Sequence, residues 1–469
     1  MSFKLLGMLR MTALSMGLAL TAAPSWAETL ADAMVAAYRN SNLLEQNQAM
    51  LRAADEDVAT AVASLRPVVQ WVAGSKYTSV DNGSTVNFEE LERSLQLAAQ
   101  MTLYDFGRSQ LAIDMAKETV MATREALVSV EQNVLLDAVR AYMNVKSATQ
   151  QVDLNRNSVR VITEEGRAAR DRFDVGEVTR TDVSLAEARL AATRAGLAAA
   201  EGDLATAREA YKAATGKAPG TLAAPPKPPK LPKTLDEAKA LAMRSHPAIR
   251  QAQREAAASE LRVAAAAAER RPTISANAGL SLSDTDSTRP LANEDTTVGA
   301  SVGIQMSQTI YSGGRLSSAS RKAMAGRDAT RAALSRVGVQ VAQQVGTAWA
   351  NIDVARASIR AIDEQIAAAR AAYDGVREEA SLGARTTLDV LDAEQSLLNA
   401  QADRITADTN LQLAYYSLLA AMGQLTAENL NLGIPTYDPS VNYNAVKDAP
   451  YTSTQGRSLD RVLRATGKN

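Results

Sequence analysis

The sequence predicts a chain that is mostly helical, carries a few membrane-facing β-strands, and is built as an internal tandem repeat. Three features predict this. An ordered set of motifs occurs twice at a nearly constant offset. Long stretches without proline are flanked by glycine turns, and between them lie segments whose hydropathy alternates with period two.

The first 27 residues, MSFKLLGMLRMTALSMGLALTAAPSWA, carry Lys4 and Arg10, then an apolar run, then small residues at Ser25 and Ala27. That is the pattern of a cleaved secretory signal, with Glu28 as the mature start; the run is too short for a spanning helix. No later segment is apolar for long enough to cross a membrane as a helix.

The first repeat, residues 28–216, begins with a helix over Ala31–Leu65. Strands are expected at Val68–Thr78 and Leu91–Leu103; in the latter, odd positions read Leu, Arg, Leu, Leu, Ala, Met, Leu against polar or small even positions. A helix of about 65 residues then spans Arg108–Asp174, roughly 100 Å at 1.5 Å per residue. A glycine turn leads into a returning helix over Thr181–Thr215.

Residues 217–233, KAPGTLAAPPKPPKLPK, form a stiff, polyproline-like linker. The second repeat, 234–434, runs through the same series. It has a helix at Asp236–Arg270, strands at Ile274–Leu282 and Val298–Ile310, a long helix at Arg315–Leu382, and a return at Leu388–Met422. The register is direct: TLYDFGR meets TIYSGGR, AYMNV meets AWANI, and VGEVTRTDV meets LGARTTLDV. Residues 435–469 read as a polar tail.

Composition excludes several functions. The 51 basic and 52 acidic residues leave a net charge of −1, so no electrostatic footprint for nucleic acid exists. The absence of cysteine removes disulfides, thiolate chemistry and an acylated lipoprotein anchor. A single histidine, His246, makes a metal site unexpected, and no nucleophile–base pairing marks an enzyme. TIYSGGRLSS invites a phosphate-cradle reading, but its twin has Phe106 where Gly313 stands, and no Lys-Ser or Lys-Thr follows. No cofactor is expected.

The strands have the length and alternation of outer-membrane barrel strands. Four cannot close a barrel, and an open edge in lipid strands backbone groups at several kcal/mol each. The chain must share a barrel with its copies, eight strands in a dimer or twelve in a trimer. Helices of about 100 Å must line up in a coiled-coil-like array, so that barrel and helices make a hollow duct. The competing reading is a periplasmic structural coiled coil without a pore.

The paired LYDFGR and IYSGGR junctions, the paired glycine turns and TLDVLDAEQSLLNAQ resemble the TolC family of outer-membrane channels over essentially the whole mature chain. The resemblance implies a homotrimer in outer-membrane lipid, with a twelve-stranded barrel continuous with a periplasmic helical tunnel. It also implies an exit duct for type I secretion or multidrug efflux, docked to a periplasmic adaptor and an inner-membrane ABC or RND transporter. Overall likeness leans to type I secretion.

Candidate functional residues fall in two places. At the tips, Val175, Gly176, Leu382 and Gly383 form the turns, which by resemblance touch the adaptor. Asp389 and Asp392 stand three apart on one helix face, where capping or a solvated face would account for them. By resemblance they are instead the acidic rings of a cation-selective constriction. Arg385 matches a position that closes the entrance through the neighbouring tip, with Thr181 and Asp182 as partners; Ala380 stands where the family often has Tyr. At the barrel–tunnel junctions, Tyr104, Gly107 and Arg108 recur as Tyr311, Gly314 and Arg315. There the aromatic suits the membrane rim, the glycine a hinge, and the arginine an acidic or carbonyl partner.

Overall fold

The computed structural model describes residues 27–81, 83, 88–226, 228–288 and 295–449. Nearly all of the expected signal segment, the chain beyond 449 and parts of both strand-connecting loops lie outside the described residues.

The element order repeats twice. The first half holds α1 (Leu30–Asn40), α2 (Asn42–Ala63), β1 (Val68–Val80), β2 (Phe88–Tyr104), α3 (Arg108–Asp174) and α4 (Arg180–Thr215). The second holds α5 (Leu235–Ser245), α6 (Pro247–Ala268), β3 (Thr273–Ser287), β4 (Asp295–Ser307), α7 (Arg315–Ser381) and α8 (Thr387–Ala421), followed by a short α9 (Pro439–Val446). The long helices α3 and α7 are 67 residues each.

Two expectations need correction. The leading helix of each half is not continuous. It breaks at Ser41, whose side chain caps α2, and at His246, which caps α6 ahead of Pro247 at its first position. Each break restarts a helix with fresh capping, and proline cannot supply the N–H a continuous helix would need. The fourth strand ends at Ser307, not Ile310, because β3 starts at Thr273 and offers nothing opposite residues 308–310. Part of the presumed tail is ordered as well: α9 docks on α2, where Asn442 donates to Asp55 at 2.8 Å.

The strands form one antiparallel sheet in the order β1-β2-β3-β4. Its register lines up the apolar positions of the four strands. Trp71 stands opposite Leu97 and Leu97 opposite Leu280, while Leu280 faces Ala300. Along the next rows Val69, Ala99, Ala278 and Val302 align, as do Ala73, Leu95, Leu282 and Val298. One face is therefore apolar across all four strands, and Trp71 and Val302 on it are 71% and 90% exposed. The opposite face, Val68 and Val72 of β1 apart, carries mainly small and polar groups packed closely: a Cβ on Gly299 would meet Ser281 Oγ at 2.8 Å. The apolar band stops where Arg93 pairs with Asp284 at 3.1 Å.

No described helix is long and apolar enough to cross a membrane. The main core lies in the middle of the helical region. It is built by Leu30 and Ala37 of α1, Leu135 and Tyr142 of α3, Tyr211 of α4, and Leu418 of α8. Tyr142 is fully buried, and its hydroxyl donates to the carbonyls of Glu28 (3.1 Å) and Ala223 (2.9 Å). The linker is thereby fastened beside Glu28, which bridges to Leu222. A smaller cluster, Ile162, Ala169, Ala186 and Leu391, sits near the hairpin tips.

Candidate functional site

The tips reverse by one device used twice. Gly176 adopts φ 83° and donates to Phe173 O at 2.9 Å, and Glu177 N–H reaches back to Arg172 O at 2.9 Å. Gly383 adopts φ 78° and donates to Ala380 O at 3.1 Å, with Ala384 N–H on Glu379 O at 2.9 Å. Only glycine takes this left-handed geometry without steric cost.

Each returning helix then opens with a reciprocal cap. Asp182 Oδ2 accepts from Thr179 N–H (2.9 Å) and Oγ1 (2.8 Å), and Asp182 N–H donates to Thr179 Oγ1 at 3.3 Å. Thr386 and Asp389 repeat the arrangement at 2.9, 2.8 and 3.2 Å. The hydrogen bonds from Thr386, backbone first and then hydroxyl, hold the Asp389 carboxyl below its ordinary value. It is a charged group fixed in place at the helix start.

The two tips of one chain share a cleft of about 670 Å³ lined by Asp182, Ala380, Leu382, Gly383, Arg385 and Asp389. Thr181, Val175 and Gly176 are exposed and do not line it. Within one chain Arg385 Nε donates to Glu379 at 2.8 Å in its own turn, while Asp182 of the other tip lines the same cleft held by its own cap. Val175 and Leu382 are 72% and 79% exposed, leaving two bare apolar side chains at the tips.

Above the cleft lie residues that the sequence reading passed over. Arg189 of α4 pairs with Asp392 of α8, Nη2 to Oδ1 at 2.5 Å. Arg377 of α7 reaches Glu165 of α3 at 3.3 Å. Ser158 of α3 donates to the buried Glu394 at 2.7 Å. Burial pushes the Glu394 carboxyl up, with the Ser158 hydrogen bond and the Arg189 charge pulling the other way.

All three contacts join the first hairpin to the second. The repeat register held a signal for them. In the first copy Arg170 and Glu187 pair within their own hairpin, 2.6 Å apart. Their counterparts Arg377 and Glu394 instead turn to Glu165 and Ser158, for which the second copy has Ala372 and Gln365. Arg189 likewise has only Ser396 opposite it. Departures between the copies mark contacts made across them.

The barrel–tunnel joints also differ. A bulge between Thr102 and Tyr104 re-aims Tyr104 alongside Ile274 on the apolar face. Gly107 and Gly314 both sit at φ 88°, as a hinge glycine would. The preceding residue is left-handed too, Phe106 at 57° and Gly313 at 59°. Two consecutive left-handed residues are therefore required, and Phe106 bears a strain of about 1–2 kcal/mol. Its edge contact with the Tyr104 ring, centroids 4.6 Å apart, offsets part of this.

Arg108 donates to the carbonyls of Arg271 (3.2 Å) and Ala268 (3.4 Å), and Arg271 answers with a bond to Phe106 O at 2.8 Å. Asp105 accepts from the Ser109 N–H at 2.7 Å and the Gly107 N–H at 3.2 Å. At the second joint Ser312 supplies one such bond, to Leu316 N–H at 3.3 Å, while Tyr311 and Arg315 are exposed.

The chain matches the family model described as outer membrane efflux protein twice, over residues 34–217 and 240–424. Outer membrane efflux protein BepC of Brucella suis is 35% identical over 92% of this chain and 93% of its own length. Outer membrane protein TolC of Escherichia coli is 26% identical over 93% of this chain and 90% of its own. The solved structure of CusC, described in terms of folding and transmembrane channel formation, superposes with a TM-score of 0.73. It covers 84% of this chain and 91% of that one at 20% identity, a likeness of fold.

Proposed function

The chain belongs to the outer membrane efflux protein family, and from that premise we propose that three copies close one twelve-stranded barrel. The protein is an outer-membrane exit duct that extends into the periplasm, of the kind used for efflux or type I secretion. The observation that carries the assembly is the sheet. It has one continuous apolar face and two edges, β1 and β4, that are unpaired among the described residues and run antiparallel to each other. In lipid such edges must be paired, and the β1 of a neighbouring copy is the matching partner for β4.

The helices of the three copies then form the tunnel, and the tips form its periplasmic entrance. Asp389 and Asp392 line the constriction, and Arg385 ties one tip to Thr181 and Asp182 of the next. Val175 and Leu382, with Gly176 and Gly383 shaping their turns, offer the apolar contact for a periplasmic adaptor, beyond which an energised inner-membrane transporter drives the cargo. The duct performs no chemistry of its own. The similarity to a named efflux protein supports small molecules as the first cargo class to test, ahead of the type I lean of the sequence.

The test is fractionation followed by electrophoresis without boiling and by planar-bilayer recording. The expected result is an SDS-resistant trimer in outer membranes that opens conducting pores. Conductance of the resting pore should rise in Arg385→Ser. A soluble monomer would overturn the duct and favour the coiled-coil alternative, which leaves the bare apolar sheet without a role.

A further inference from the structure

We propose that Arg189 sets the ion selectivity of the entrance: it neutralises Asp392 while the two hairpins of a chain are in contact and unmasks it when they part. The inference rests on the reading of Asp389 and Asp392 as the lining of the constriction.

The two carboxylates share a helix face but not a chemical situation. Asp389 is held by its own Thr386 cap and stays ionised. Asp392 takes no part in a cap; its carboxylate meets the Arg189 guanidinium at 2.5 Å. The fork of Arg189 is further oriented by Gln395, whose Oε1 lies 3.5 Å from Nη1. The Arg189 side chain is 27% exposed and that of Asp392 62%, so the cation is drawn in between α4 and α8 while the carboxylate looks outward.

The other charged groups nearby have different engagements. Glu187 is matched by Arg170, Glu165 by Arg377, and Glu394 is buried on Ser158. Arg385 donates to Glu379, and its charge also favours the ionised form of Asp389. With the hairpins together, the Asp392 ring therefore adds no net charge, and the capped carboxylates Asp389 and Asp182 give the entrance its sign.

The pair also spans the hairpins. Arg189 is on α4 and Asp392 on α8, 203 residues apart in sequence. Any opening that swings one hairpin away from the other separates them. A pair with one partner so exposed adds little to the mechanical hold. Its consequence is electrostatic, because removing a fixed cation from a narrow, water-filled ring of carboxylates raises the local cation concentration. Neither residue has its counterpart in the other copy, where Leu185 and Ser396 occupy the equivalent positions.

The test is the reversal potential across a KCl gradient in planar bilayers, for full-length protein extracted as its SDS-resistant oligomer. Arg189→Gln should raise the cation-over-anion permeability ratio about threefold or more. Asp392→Asn should lower it, leaving Arg189 uncompensated. The double variant should return close to the wild-type ratio, and Arg189→Lys should stay near it. A purely mechanical tie would alter conductance in Arg189→Gln and Arg189→Lys without moving the ratio. The proposal falls if Arg189→Gln keeps the wild-type ratio while Asp392→Asn shifts it. It also falls if Arg189→Gln no longer assembles, which would make the arginine structural. If neither Asp389→Asn nor Asp392→Asn moves the ratio, the constriction reading itself fails and takes the inference with it.

Discussion

The two halves of the chain make the same elements from related residues, yet α3 and α7 do different jobs. α3 lies in the middle of the protomer, packed against α1, α2, α4, α6 and α8. α7 packs against α5, α6 and α8, and its Val339 and Val354 are left 69% and 66% exposed. The sheet follows the same rule: β2 and β3 sit inside, one from each half, while β1 and β4 are edges. Duplication supplied two equivalent units; stacking them side by side made one inner and one outer surface. A repeat therefore predicts the elements but not which copy faces a neighbour.

The strongest test of that difference uses twin core aromatics. Tyr142 of α3 is fully buried with its hydroxyl satisfied, whereas its twin Trp349 of α7 is half-buried. Tyr142→Ala should destabilise the protomer by about 3–5 kcal/mol, read by denaturant unfolding. Trp349→Ala should cost about 1–2 kcal/mol there but lower the temperature at which the SDS-resistant oligomer dissociates. Equal losses in both assays would erase the inner–outer distinction.

The joints come next. Gly107→Ala and Gly314→Ala should each cost about 1–2 kcal/mol, because both take the same left-handed φ. Phe106→Gly should be close to neutral, relief of strain being offset by loss of the Tyr104 contact. Acid should separate the joints further. Burial raises the Asp105 carboxyl, but the hydrogen bonds from Ser109 and Gly107 outweigh it and leave it below its ordinary value of 3.8. A depressed folded pKa gives stability that is present above 3.8 and lost as pH falls through the folded value. The protection of the Ser109 amide, measured against its intrinsic exchange rate, should therefore fall in acid, while that of Leu316, capped by the non-titrating Ser312, should show no such step.

The hairpins give a pair of smaller effects with opposite signs. Glu394 is raised from 4.5 chiefly by burial. The folded state then holds its proton more tightly than the unfolded chain, so stability falls as pH rises from 4.5 to the folded value. Glu394→Gln, which can still accept from Ser158, should be more heat-stable than wild type at neutral pH and equal to it in acid. Its twin Glu187 makes an exposed ion pair with Arg170. Glu187→Gln should lose no more than about 0.5–1 kcal/mol at any pH above the carboxylate range. A stabilised Glu187→Gln would contradict the assignment of the two acids to different environments.

Much of the site was legible in the sequence because its signals are local. Glycine at 176 and 383 announces a left-handed turn, and a Thr three residues before an Asp announces a cap. The cap itself was read as one option for Asp389, and the structure shows that it is made there and, by the same rule, at Asp182. The break at Ser41 has no proline to mark it, whereas Pro247 after His246 is a local signal of the second break. The contacts of Arg189, Glu165 and Ser158 could not be read directly, since each partner lies some 200 residues away on another hairpin.

The sequence by itself determined the elements, their order and their duplication. Period-two and helical patterns, prolines and left-handed glycines act through neighbours along the chain. Tertiary structure decided which copy became the interior, which sheet edges stayed open, and which acids found an arginine. Those outcomes depend on how two nearly identical units settle against each other, where a change such as Ser396 to Arg189 costs nothing locally and acts only across the interface it helps to form.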